Sequence, residues 1–120
     1  MDTNAALAVL TALAQPHRLA IFRWLVQRGP DGAFAGEIAG ALGLAATTQS
    51  FHLKALAGAG LLSAEPQGRH IRYRADLDAV RGLVDYLTEN CCGGDPSRCE
   101  PPLRPGRVAG RRFPHPGTTP

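Results

Sequence analysis

Cys91, Cys92 and Cys99 fall within nine residues, and the 120-residue chain has no other cysteine. An odd number of thiols in one short stretch argues against a disulfide framework. Two chemistries suit such a cluster: soft thiolates ligating a soft ion, or a thiol redox pair. Cys92 to Arg98 also has the C-x5-R spacing of the phosphate-cradling loop in Cys-dependent phosphatases and arsenate reductases. That loop needs backbone N–H groups ringed between a strand and a helix N-terminus. Here a predicted helix precedes the segment and a Pro-rich stretch follows it, so the pattern points away from an enzyme. His17, His52, His70 and His115 are scattered and make no metal-spaced pair.

The elements that must position these thiols form one small domain and a tail. Residues 1–100 carry nine Lys and Arg against ten Asp and Glu, whereas residues 101–120 carry four arginines and no acid. The formal net charge of +3 therefore comes from the tail, and only local clustering within the folded part bears on nucleic acid. The apolar run Ala5 to Ala14 has no basic stretch before it and continues in helical pattern into Arg18, which reads as a helix in a cytoplasmic protein rather than a signal peptide.

Asp2 or Thr3 can cap a first helix over about 4–14, with Leu7, Leu10 and Leu13 at helical spacing. Pro16 opens a second helix over about 16–28, with Leu19, Ile21, Phe22, Leu25 and Val26 as its apolar face and Gly29-Pro30 as its stop. A short helix, about 35–42, ends at Gly43, and a fourth, about 46–58, ends at Gly58 and Gly60. The period then changes to two. Leu61 to Glu65 and Arg69 to Ala75 are predicted strands flanking Pro66-Gln67-Gly68. A fifth helix, capped by Asp76 or Asp78, runs to about Asn90 with Val80, Leu83, Val84 and Leu87 as its stripe. The division falls at residues 1–92 and 93–120, the second part a thiol-bearing segment and a Pro- and Arg-rich disordered tail.

Helix, short helix, turn, helix and hairpin is the order of a winged helix-turn-helix, a mainly α fold with a β-hairpin wing. In that architecture the second helix of the turn enters the major groove and the hairpin reaches the flanking backbone. A helical wheel over 46–58 turns Leu53, Leu56 and Ala57 inward and Thr47, Thr48, Phe51 and Lys54 outward, with Ser50 and His52 at the flanks. Hydroxyls and an imidazole suit phosphates and base edges, and Phe51 suits a thymine methyl. Arg69, His70, Arg72 and Arg74 add a basic wing facing only Glu65. This arrangement points to double-stranded DNA as partner.

The segments QPHRLAIFRWL, GEIAGALGL, TTQSFHLKALAGAGLL and GRHIRYRA resemble the ArsR/SmtB family of metal- and metalloid-responsive repressors over about residues 7–90. The resemblance implies a homodimer formed through the first and fifth helices, binding to an inverted-repeat operator, and release when a metal or metalloid binds. Gln49 departs from the pattern, standing where relatives carry an apolar residue. It is expected at the core edge with its amide turned outward toward a base.

Three thiolates with no fourth His or acid ligand suit a trigonal ion such as As(III) or Sb(III) better than tetrahedral zinc. Arg98 beside them favours thiolate over thiol. The short third helix has no cysteine and the fifth has no histidine, where some relatives hold inducer ligands. What remains resembles arsenic repressors with a C-terminal Cys-Cys pair and a further cysteine downstream. The expectation is an arsenite-responsive repressor with Cys91, Cys92 and Cys99 as the inducer site. The alternatives are a thiol-redox repressor and one responding to another soft metal or to methylated arsenic.

Overall fold

A computed structural model describes residues 1–98; residues 99–120 and the side chains of Cys91, Cys92 and Pro96 lie outside the described set. The chain divides into two units, Met1–Leu87 and Thr88–Pro120. The break falls at the end of the fifth helix, five residues before the expected boundary.

Five helices and a three-stranded antiparallel sheet make up the first unit. Helix α1 (Thr3–Leu13) begins where the Asp2 carboxylate accepts from the Ala5 N–H at 2.8 Å. It buries the small residues Ala6, Val9 and Ala12, spaced three apart, and leaves Leu7 and Leu10 exposed on the adjoining stripe. Helix α2 (Pro16–Arg28) starts with proline at its first position and the Gln15 side chain accepting from the Arg18 N–H. It ends at Gly29, whose φ of 67° only glycine adopts at little cost. Ile21, Phe22 and Leu25 are its buried residues, while Leu19 and Val26, expected on the same face, stay largely exposed.

A 3-10 turn, Gly29–Asp31, then leads into β1 (Ala33–Phe34), a two-residue strand with no periodicity of its own. It forms because β3 offers it an edge, pairing Ala33 with Tyr73 and Phe34 with Arg72. Helix α3 (Ala35–Leu42) follows, its start fixed by the Glu37 carboxylate accepting from the Phe34 N–H at 2.8 Å. Gly43, in the left-handed region, closes it and turns the chain into α4 (Ala46–Gly58).

Strands β2 (Leu62–Gln67) and β3 (His70–Ala75) form the wing. The expected turn at Pro66-Gln67-Gly68 lies two residues later, at Gly68-Arg69. Pro66 sits inside β2 opposite Ile71, which is tolerated because β2 is an edge strand in the order β1-β3-β2. Gly68, at φ 65°, takes the first turn position, so Arg69 lies at the wing tip rather than in a strand. Helix α5 (Leu77–Leu87) begins with the Asp76 carboxylate accepting from the Asp78 N–H and ends three residues earlier than expected. Asn90, at φ 56°, is in a conformation that no α-helix contains.

Val9, Ile21, Leu25, Ile38, Leu56 and Leu61 form the fully buried centre, drawn from α1 to α4 and the approach to the wing. No single helix among the described residues is long and apolar enough to cross a membrane.

Two glycines give opposite expectations for stability. At Gly32 (φ 59°), a Cβ would lie 2.3 Å from the Tyr73 carbonyl oxygen, so Gly32→Ala should cost more than the ~1–2 kcal/mol of a left-handed residue alone. At Gly40, within α3, a Cβ meets nothing within 4 Å. Gly40→Ala should stabilise by up to about 1 kcal/mol through helix propensity. Urea unfolding of the two variants checks both signs.

Candidate nucleic-acid interface and thiol segment

The pair α3–α4 and the wing present the surface that the sequence singled out. Along α4, Thr47, Thr48, Ser50, Phe51 and Lys54 are exposed, Phe51 at 65 %. No side chain caps the helix at Ala45, so its first N–H groups are open to an acceptor such as phosphate.

Two residues of this helix are not where they were expected. Gln49 is 2 % exposed and His52 5 %. Positions 49, 52, 53 and 56 follow the i, i+3, i+4, i+7 rhythm of one helix face, and that face packs on α2 and α3. The Gln49 amide turns inward: Nε2 donates to the Ala35 carbonyl at 2.7 Å, while Oε1 has no hydrogen-bond partner among the described residues. Neither side chain is placed to meet a base in this arrangement.

His52 instead closes a polar junction. The Arg18 Nε donates to the Ala12 carbonyl at the end of α1 at 2.8 Å, and its Nη1 lies 3.5 Å from His52 Nδ1. The rings of His17 and Phe51 lie 5.5 and 5.6 Å from the His52 ring. Burial, then the positive charge of Arg18, then His17 push the His52 imidazole below its ordinary pKa. Arg18 was not singled out from the sequence. Its spacing to Ile21, Phe22 and Leu25 is the available signal, since a cation in register with a buried face must find a partner there.

The wing's arginines are also less free than their number suggests. The Arg72 guanidinium lies 4.3 Å from the Phe34 ring centroid, donates from Nη1 to the Asp31 carbonyl at 2.7 Å, and from Nε to Gln67 Oε1 at 3.2 Å. Arg74 donates from Nε to the Pro30 carbonyl at 2.8 Å and pairs through Nη1 with Glu65 at 2.6 Å. That hydrogen bond and charge, with help from Gln67 and Arg72, hold the Glu65 carboxyl below the usual range. Arg72 and Arg74, expected to hold phosphates, thus bind the wing to the 3-10 turn. Arg69 and His70 remain exposed at the tip, with His70 5.5 Å from Phe34. Lys54 and Arg69 carry no ion pair among the described residues.

In the second unit, Cys91–Gly94 and Pro96–Arg98 are 3-10 turns. Gly94 N–H donates to the Asn90 carbonyl, and Arg98 N–H to that of Asp95, both at 3.0 Å. Ser97 donates to the Asp95 carboxylate from its N–H at 3.0 Å and from its hydroxyl at 2.7 Å, which lowers the Asp95 pKa. Arg98 Nη1 comes within 3.2 Å of where a Cβ on Gly93 would stand, so the Arg98 side chain reaches back to the first of these turns. Cys99 and the arginines of residues 101–120 lie outside the described residues.

The fold and the α3–α4 pair with its wing define a winged helix-turn-helix, a DNA-binding class. A helix-turn-helix domain family matches residues 13–63. The transcriptional regulator YgaV of Escherichia coli is 32 % identical over 91 residues, covering 76 % of this chain and 90 % of that protein. CmtR of Mycobacterium tuberculosis, also a helix-turn-helix regulator, is 42 % identical over 87 residues, 70 % of each. An ArsR-like regulator from Rhodococcus superposes with a TM-score of 0.64 at 27 % identity, covering 77 % of this chain and 84 % of that one. A homodimeric winged helix-turn-helix domain from Mycobacterium bovis, a possible ArsR-family regulator, superposes at 0.58 with 30 % identity, covering 77 % and 85 %. The chain belongs to the ArsR family of helix-turn-helix transcriptional regulators, DNA-binding proteins rather than enzymes.

The His52 junction gives a pH dependence of defined sign. An imidazole whose pKa is lowered on folding contributes its full stability above the ordinary value of ~6.5 and loses it as pH falls from there through the lowered value. Thermal midpoints should therefore decline from pH 7 toward pH 5 in the wild type and decline less in His52→Gln.

Proposed function

We propose that this regulator is a homodimeric, arsenite-responsive repressor. The outer face of α4, with Thr47, Thr48, Ser50, Phe51 and Lys54, reads the operator, and Arg69 and His70 at the wing tip meet flanking phosphate. Support for α4 as the reading helix comes from its exposed face of hydroxyls, an aromatic ring and a cation beside an uncapped N-terminus.

The dimer forms through α1 and α5. These helices pack together, with Thr3 Oγ1 and Tyr86 OH hydrogen-bonded, and leave Leu7, Leu10 and Leu87 at 54, 42 and 62 % exposure. Apolar stripes of this kind on adjacent helices favour burial against a second copy.

The observation that carries the arsenite reading is the thiol spacing: Cys91-Cys92 open a 3-10 turn soon after α5, and a second 3-10 turn, Pro96–Arg98, directly precedes Cys99 in the sequence. Arsenous acid would exchange its three hydroxyls for three cysteine sulfurs, each exchange releasing one water and forming one As–S bond. Sb(III) shares the trigonal preference. Tying the segment that follows α5 would alter a helix of the dimer interface and so the separation of the two α4 helices. A coupling of about 1–3 kcal/mol between inducer and operator is typical of such linkage.

Fluorescence anisotropy of operator-bound protein against As(III), Sb(III), Cd(II), Zn(II) and peroxide tests this. As(III) and Sb(III) should release DNA, and alanine at both Cys91 and Cys92 should abolish the release. Release that persists in that variant would show the site to be elsewhere. Release by peroxide alone, reversed by dithiol, would establish a redox sensor instead. Lys54→Ala should weaken all duplexes alike and reduce the salt slope by about one unit per protomer.

A further inference from the structure

We propose that Gln49 is the positioning residue of the DNA-reading unit: its buried amide fixes α4 to the start of α3 and, through β1, to the wing. This rests on the reading that α4 meets the operator.

The Ala35 carbonyl that accepts from Gln49 Nε2 at 2.7 Å belongs to the first residue of α3. Directly before it, Phe34 is held by Glu37 through its N–H, by Arg72 across its ring, and by its pairing with Arg72 in the sheet. One hydrogen bond from the first turn of α4 therefore reaches a backbone point shared by α3 and the wing.

The orientation of the amide is fixed, because exchanging its oxygen and nitrogen would set Oε1 against the Ala35 oxygen. In the observed orientation Oε1 is buried and accepts from no described group. A leucine or methionine of similar volume would fill this site without a desolvated acceptor, so stability alone does not call for an amide. What the amide adds is direction. Leu53 and Leu56 give α4 an apolar seat, and the driving force for burying them is non-directional. A hydrogen bond from position 49 adds a directional restraint to that seat, and Thr48 and Ser50 on either side are exposed residues whose aim depends on the rotation of α4 about its axis.

The test uses the full-length chain and a duplex that it selects from a random-sequence library. Gln49→Leu and Gln49→Met should keep or raise the thermal midpoint yet bind about tenfold more weakly, the scale of one buried hydrogen bond. That loss should persist across duplexes with each base pair changed in turn. Unchanged affinity in both variants overturns the proposal, as does a lowered midpoint with unchanged affinity per folded molecule. A loss confined to one base pair also overturns it, assigning Gln49 a direct contact. Phe51→Ala is the control for the underlying reading. If it leaves affinity intact, α4 is not the reading helix, and that failure is separate from a Gln49 result obtained with a sensitive Phe51.

Discussion

The seating of α4 on α2 and α3 through Gln49, His52, Leu53 and Leu56 is the constraint from which the outer surface follows. Two of these four residues are leucines that any core would accept, and two are polar groups that only particular partners can satisfy. Gln49 finds the Ala35 carbonyl, and His52 finds Arg18, which in turn holds the last turn of α1 through Ala12. The polar members give the packing an orientation as well as an area. Rotation of α4 would break both contacts at once and unseat the interdigitated leucines with them.

The wing is organised by the same economy of contacts. Three elements meet at Phe34: β1 pairing with β3, the Arg72 guanidinium over its ring, and the Glu37 carboxylate on its N–H. Arg74 reaches the Pro30 carbonyl from the next same-face position along β3. The 3-10 turn after α2 thereby accepts two guanidinium groups through backbone carbonyls, and the wing's base becomes part of the folded core's periphery. Only its tip, Gly68-Arg69, projects with an unengaged cation.

Much of this was legible in the sequence wherever punctuation is chemical. Pro16, Gly29, Gly43 and Gly58 mark helix ends by backbone geometry, and α2, α3 and α4 begin and end where those residues place them. Pro66 misled because proline marks turns in general, while an edge strand with no partner on its outer side also accepts it. Strand β1 left no trace because two residues have no period, and its existence depends on β3 some forty residues later. His52 was placed at the flank of the outer face and the Gln49 amide was turned outward from the core edge, although helical spacing alone sets both beside Leu53 and Leu56 on the buried face. Arg72 and Arg74 were counted as free charges because a sequence shows a guanidinium but not the carbonyls waiting for it.

The engagement of these arginines bears on how such a regulator holds DNA. Arg74 is paired with Glu65, Arg72 is held by neutral groups and keeps its full charge, and Arg18 is turned into the α1–α4 junction, which leaves Lys54 and Arg69 as the exposed cations of α4 and the wing tip with no ion pair among the described residues. Counterion release from so few contacts supplies little affinity per protomer. In the proposed dimer, two copies engage two half-sites together, and the second contact is made at high effective concentration. An interaction built this way depends steeply on the distance between the two α4 helices, because a misplaced second copy forfeits the whole gain. In the proposed dimer, a modest change at the interface helices is then sufficient to release DNA. That proposal needs no large rearrangement of either copy, because the contacts of Gln49 and His52 tie α4 to the rest of its own protomer.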